Sequence, residues 1–218
     1  MKTVKLFLLT LILAGTSVLS SNAQGVKYMK DDTLSFIFKS NLFYYVTGTA
    51  HLGVEVPFRN NRNSIYFALM GSDYTKTGNT NKEQYFGPGL ELQYRSYLGK
   101  NSGPTKYPFY YGIHLMGRHL EKYIKHDDSY LWDYNTNTNV FTAGYETNTT
   151  MNVYYGGIVL GYQQIIGHAI SLDFYIGGGL RLTYYGGENS PTRYKSINDF
   201  DYSGILPKSG IIIGILNR

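Results

Sequence analysis

His168, Ser171 and Asp173 bring a base, a hydroxyl and a carboxylate close together in the chain, the residue types that acyl-transfer enzymes combine for nucleophilic catalysis. Such a group works only if nucleophile and base come within about 2.6–3.2 Å, and nothing in this spacing demands that. The plainer reading, and the preferred one, is a turn histidine beside two interior polar residues. His126, Asp127 and Asp128 offer imidazole and oxygen ligands for a cation. They lack the fixed oxygen spacing of an EF-hand loop and read instead as a solvated charge cluster, with no metal site. Tyr130, Trp132 and Tyr134 form an aromatic group of the kind enriched at binding hot spots. The same rings could pack a loop on itself.

Charges of both signs, Lys39, Glu55, Glu91, Arg95, Arg118, Asp173 and Arg181, recur with His51 and His114 inside otherwise apolar stretches. The setting is period-two alternation. From Ala169 to Tyr185, Ile170, Leu172, Phe174, Ile176, Leu180 and Leu182 share one parity, while Ser171, Asp173, Tyr175, Gly177, Gly179, Arg181 and Thr183 share the other. Successive strand side chains point to opposite faces, so one face is apolar and the other small or charged. The same split marks 109–118, 90–95 and 51–56, and a weaker one marks 35–46, 64–71, 151–163 and 205–216. These windows predict an all-β fold of about eight antiparallel strands.

The connections differ in length. Arg59 to Asn63, Gly99 to Pro108 and the stretch around Ile166-Gly167-His168 are short, while 72–86, 119–150 and 186–204 are long and polar. Only the first of the alternate set, near Thr47-Gly48-Thr49, is tight. Short turns on one side and long loops on the other are the asymmetry of transmembrane barrels. The stretch Asn139 to Tyr145 could hold a further hairpin, which would raise the strand count to ten.

Alternation alone leaves the inside undecided, since a secreted lipocalin-like barrel would turn its apolar face inward around a ligand. The charged parity argues for the inverse. Eight strands enclose an interior just wide enough for side chains to fill, and opposite charges meeting there could neutralise one another. In this reading Arg181 pairs with interior acids and the barrel is filled; an ion pathway is the alternative.

Lys2 and Lys5, the apolar run from Leu6 to Ala14 and the small residues Ser21-Asn22-Ala23 predict a signal peptide over residues 1–23, leaving 24–218 as the barrel domain. Cysteine is absent, which excludes disulfides, thiolate metal sites and lipoprotein attachment. The formal charge of +5 includes the two signal lysines and is too weak to argue for nucleic acid. Beyond the signal no apolar run is long enough for a transmembrane helix, so only a closed barrel could span a bilayer. Among the 23 tyrosines, Tyr44, Tyr45, Tyr97, Tyr184 and Tyr185 fall at strand ends and suit interfacial girdles.

The segment Lys208-Ser209-Gly210-Ile211-Ile212-Ile213-Gly214-Ile215 resembles the terminal assembly signal of outer-membrane barrels, although the chain ends Leu216-Asn217-Arg218 rather than on an aromatic residue. Lys39-Ser40-Asn41-Leu42 followed by Leu52-Gly53-Val54-Glu55 is similar to the first hairpin of the outer membrane protein β-barrel domain families of unknown function. The chain as a whole resembles the small OmpX/OmpA-type class. That resemblance implies a closed up-and-down transmembrane barrel in a Gram-negative outer membrane, with short periplasmic turns and longer extracellular loops. It implies a monomer without cofactor, in contact with outer-membrane lipid and lipopolysaccharide and recognised by the barrel assembly machinery through its last strand. The expected role is non-enzymatic: envelope structure, or loops presented to an extracellular protein or glycan. A lipid A-modifying deacylase or acyltransferase, acting through Ser171, and a secreted lipocalin-like carrier are the alternatives.

Overall fold

The computed structural model describes residues 36–58, 62–77, 81–98, 108–133, 138–167, 169–186, 191 and 199–217. The predicted signal peptide lies outside them. The elements are β1 (Phe36–Asn41), α1 (Leu42–Val46), β2 (Thr49–Phe58), β3 (Asn63–Thr77), β4 (Asn81–Tyr97), β5 (Phe109–His126), β6 (Ser129–Asp133), β7 (Thr138–Thr142), β8 (Glu146–Ile166), β9 (Ile170–Tyr185) and β10 (Gly204–Asn217). Around the wall, β1, β2, β3, β4, β5, β8, β9 and β10 form a closed antiparallel barrel of eight strands. Closure is made by β1 on β10, in register from Phe36 opposite Asn217 to Asn41 opposite Ile212.

The predicted strand over 35–46 stops at Asn41. There the asparagine side chain accepts a hydrogen bond from the Phe43 amide, and residues 42–46 turn into one short helix. The predicted long loops are largely paired backbone. β3 and β4 continue as a ribbon as far as Thr77 opposite Lys82, and β5 and β8 continue to Lys125 opposite Glu146. Within the third loop, β6 and β7 form a separate hairpin with Tyr130 opposite Phe141. The extra hairpin therefore exists, and the barrel still has eight strands. These ribbons escape a hydropathy reading because both of their faces are polar; backbone pairing continues after alternation ends.

The wall has two chemically distinct faces. Outward residues are apolar on strand after strand, as in Leu52, Val56, Phe67, Leu69, Leu90, Leu92, Ile113, Leu115, Ile158, Leu160, Phe174 and Ile176, all exposed. Aromatic rings gather at the turn end of this belt, where Phe58 packs near Tyr94 at 6.3 Å and Phe109 packs on Tyr162 at 4.9 Å. At the loop end Tyr154 and Tyr184 lie 6.3 Å apart, and Phe86 of β4 is exposed.

Most of the strand-end tyrosines assigned to girdles go elsewhere. Tyr97 is buried inside the barrel, Tyr185 donates inward to Asp201 at 2.7 Å, and Tyr44 on α1 reaches the lumen. Tyr66, Tyr85, Tyr110, Tyr155 and Tyr175 are buried as well. Inward-facing glycines make room for them. Tyr110 lies opposite Gly161 and Tyr175 opposite Gly210 on neighbouring strands. A β-carbon on Gly161 would stand 2.1 Å from Tyr110 Cζ, and one on Gly210 would stand 2.4 Å from Tyr175 Cε1. A ring laid across the wall thus fills the space that a second side chain would need.

Gly161→Val should therefore destabilise the barrel by about 1–3 kcal/mol or more, the cost of overpacking a filled interior. Urea titration in detergent, followed by circular dichroism, measures it. Stability equal to wild type would show that the Tyr110 seat is not tight.

Candidate functional site

The barrel interior holds the chemistry, and it is arranged in layers set by register. Nearest the turn end, β1, β2, β4 and β9 aim Lys39, Glu55, Arg95 and Asp173 at one another. Lys39 Nζ lies 2.9 Å from Asp173 Oδ2 and donates to Gln163 Oε1 at 2.9 Å; it is also ion-paired with Glu55. Arg95 Nη1 lies 2.5 Å from Asp173 Oδ2 and 3.3 Å from Glu55 Oε2. Tyr97 donates to Glu55 at 2.8 Å, Tyr110 donates to Asp173 at 2.7 Å, and Ser64 donates to Glu55. Gln93 Oε1 accepts from Arg95 Nε at 3.0 Å and from Nη2 at 2.8 Å. The guanidinium also lies over the rings of Tyr66 and Tyr110, at 5.0 and 4.6 Å. Two cations meet two carboxylates, and the charges cancel. Burial of ions is tolerable only in this form, paired and with the remaining lone pairs satisfied.

The middle layer is centred on Glu91. It accepts from Tyr44 OH at 2.9 Å and from Gln93 Nε2 at 2.6 Å. His51 Nε2 and His114 Nε2 stand 3.5 and 3.3 Å from its oxygens, and Lys208 Nζ stands at 3.7 Å. Lys208 also donates to His114 Nε2 at 2.9 Å. Tyr44 stacks on His51 at 4.8 Å, which seats α1 against the lumen.

The loop-end layer is less balanced. Lys122 pairs with Asp201 at 3.1 Å and with Glu83 at 3.5 Å. Phe200 packs on Tyr74 and Tyr85 at 5.6 and 5.2 Å, so residues 199–203 cover this end. Arg118 lies between the rings of Tyr44 and Phe200, at 5.1 and 5.5 Å. Arg181 donates from Nη1 to the Asp199 carbonyl at 2.9 Å.

Lys39, His51, Glu55, Glu91, Arg95, His114, Arg118, Asp173 and Arg181 thus all lie on the inward parity. Arg181 does not pair with interior acids as expected: among the described residues no carboxylate stands within 4.0 Å of it, because Asp173 lies several residues nearer the turn end of the same strand. Arg95 takes that role. Gln163, Lys208, Tyr44, Tyr66, Tyr85 and Tyr155 escaped the sequence reading, while Gln93, Tyr110 and Tyr175 stood on the charged parity without being assigned to the network. Gln163 and Lys208 do share a parity with inward residues of their strands, a signal that could have found them. Tyr44 could not be found that way, since it sits on a helix.

The acyl-transfer group is not assembled among the described residues. Asp173 is committed to Lys39, Arg95 and Tyr110, Ser171 is fully buried with no hydrogen-bond partner for its hydroxyl among them, and His168 lies outside them. His126 stacks on Tyr145 at 4.2 Å, and Asp128 accepts from the Gly144 amide at 2.6 Å, so both serve the base of the third loop. In the aromatic group, Tyr130 is exposed against Phe141 at 5.3 Å and Trp132 lies opposite Asn139; Tyr134 lies outside the described residues.

Arg95→Met should cost about 3–5 kcal/mol, because it strands two buried carboxylates on one lysine. Lys76→Met, which breaks a pair with Asp199 whose lysine is 47% exposed, should cost at most about 1 kcal/mol. Urea unfolding of the two variants side by side checks the contrast. Equal losses would remove the ion network from its place as the interior's main support.

No family model matches the chain, and no curated protein does. Among solved structures the chain is similar to Acinetobacter baumannii CarO, at 12% identity and a TM-score of 0.45, covering 86% of this chain and 100% of that one. So distant a likeness carries no argument about function.

Proposed function

We propose that the chain is a filled, non-enzymatic outer-membrane barrel of the small OmpX/OmpA type, exported by a cleaved signal peptide, that contributes to envelope structure and presents its loop-end ribbons to external partners. One observation carries this reading. The closed wall is apolar on its outside from strand to strand, while its inside is charged, hydrogen-bonded and packed. In water such an exterior would be an exposed patch far beyond the few hundred Å² that soluble monomers tolerate; in a bilayer it is the surface that lipid chains cover. A lipocalin-like carrier needs the opposite, an apolar interior around its ligand. Lipid A chemistry through Ser171 lacks support, since Asp173, the carboxylate such a group would use, is held by two cations.

In this reading the end with short turns faces the periplasm, and the β3–β4, β5–β8 and β6–β7 ribbons stand outside. Tyr130 on the exposed hairpin, together with Trp132, is the contact patch for a protein or glycan. Lipopolysaccharide surrounds the loop-end girdle, and β10 carries the assembly signal.

Ile176 lies mid-strand on the outward face of β9 and is 67% exposed. Ile176→Arg should destabilise the bilayer-reconstituted protein by about 2–4 kcal/mol, the cost of a charge on a lipid-facing position near the midplane. On a water-facing surface the same change stays within about 0.5 kcal/mol. Wild-type protein from the outer-membrane fraction should also shift its gel mobility only after boiling. Recovery in the soluble fraction, with a neutral Ile176→Arg, would sink the membrane assignment.

A further inference from the structure

The ion layers at the two ends of the barrel solve burial in different ways. Near the turn end every buried cation meets a carboxylate. Between Glu91 and the cap of residues 199–203, Lys208 pairs with Glu91 at 3.7 Å and Lys122 with Asp201 at 3.1 Å, and two arginines are left over. Arg118 enters from β5, Arg181 from β9 and Lys208 from β10, all beside Tyr44 or Tyr155. Tyr155 lies directly opposite Arg181 across β8 and β9. Among the described residues neither arginine has a carboxylate within 4.0 Å. Glu91, the acid of this region, is already shared by Lys208, Tyr44, Gln93, His51 and His114.

Unused hydrogen-bonding atoms gather in the same place. Arg118 Nε, Arg181 Nε, Tyr155 OH and His114 Nδ1 are buried without a partner among the described residues. Arg118 is 6% exposed and Tyr155 is 3% exposed. Contacts of Arg118 with the Tyr44 and Phe200 rings offset part of the cost of its burial, but they leave its Nε–H free. The wall makes space for the stem of this side chain: a β-carbon on Gly89 would stand 2.8 Å from Arg118 Cγ.

We propose that Arg118, Arg181 and Tyr155, with Lys208 at the edge, form a binding site for a phosphate-type oxyanion inside the loop-end half of the barrel. Two guanidinium groups with no carboxylate within 4.0 Å among the described residues match the charge of a dianion, and their planar donor forks match its oxygens. The tyrosine hydroxyl donates a further hydrogen bond. This site does not depend on the function proposed above, and two sources of the oxyanion fit its chemistry. Free phosphate would pass the cap formed by residues 199–203. A lipid phosphate headgroup would enter from the side, where the wall is thinnest: β1 leaves β10 at Asn41, and from Gly204 to Ile211 β10 has no β1 residue paired to it. The one-turn helix α1 stands there instead, with Phe43 and Val46 exposed and Tyr44 turned inward. Pro207 falls in this unpaired stretch. Leu216 donates to Ala169 on the β9 side, so by alternation odd-numbered residues of β10 face β1, and the missing Pro207 N–H lies on the open edge.

The detergent-purified protein, with its fold verified by heat-modifiable migration, is titrated calorimetrically with inorganic phosphate and separately with dihexanoyl phosphatidic acid. Sodium chloride at matched ionic strength is the blank. Saturable binding of at least one phosphate probe is expected. It should weaken about tenfold or more in Arg118→Gln and in Arg181→Gln and stay unchanged in Lys125→Gln, at an exposed pair with Glu146. Response to phosphatidic acid alone assigns the same site to a lipid headgroup, and response to inorganic phosphate assigns it to a free solute. Tyr155→Phe removes only a hydroxyl; it serves where an arginine variant fails to fold, and it too should weaken binding measurably. No saturable binding of either probe, or equal binding by wild type and every site variant, overturns the proposal.

Discussion

Closure of the hydrogen-bonded ring is the constraint from which the rest of this structure follows. Pairing β1 with β10 leaves the sheet without free first and last strands, so the backbone of the wall is satisfied internally except along Gly204 to Ile211 of β10, beyond the reach of β1. With the ring closed at eight strands, the interior volume is set, and it is small. Whatever the inward parity of each strand carries must fit that volume and must satisfy itself, because water has little access to it.

Two devices meet that demand. Tyrosine rings lie across glycines on the adjacent strand, Tyr110 over Gly161 and Tyr175 over Gly210, and fill volume while turning a hydroxyl toward a carboxylate or an amide. Charges are then cancelled in pairs, with Arg95 at the hub of Glu55 and Asp173. The arrangement accounts for the tyrosine and glycine content better than interfacial girdles alone, since most of the large buried rings face inward. Net stabilisation from such ion pairs is modest, but the penalty for removing one partner is steep. The network therefore specifies register strongly: a slip of one residue would put Asp173 on the apolar outer face and Leu172 against Arg95.

The loop-end half departs from this economy. α1 replaces the continuation of β1, and among the described residues the arginines beneath the cap have no carboxylate within 4.0 Å, unlike Arg95 near the turn end. Real proteins tend to break their own packing rules at places of function, and here the broken rules, in wall and in charge balance, fall at neighbouring positions.

Much of the architecture could be read from the chain alone. Period-two alternation is a local property of each strand, so Lys39, Glu55, Glu91, Arg95 and Asp173 could be assigned to one parity, and Phe174 and Ile176 to the other, without knowing the fold. The strand count and the sorting of short turns from long connections were legible for the same reason. Which acid meets which base was not. Partners such as Lys39 and Asp173 are 134 residues apart, and only register and barrel curvature decide that Arg95, not Arg181, reaches Asp173. The extent of β3, β4, β5 and β8 was also hidden, because backbone pairing leaves no hydropathy signal where both faces are wet. The inward turn of α1 depends on an asparagine cap and on Tyr44 finding Glu91 across the lumen, a contact that exists only once the barrel has closed.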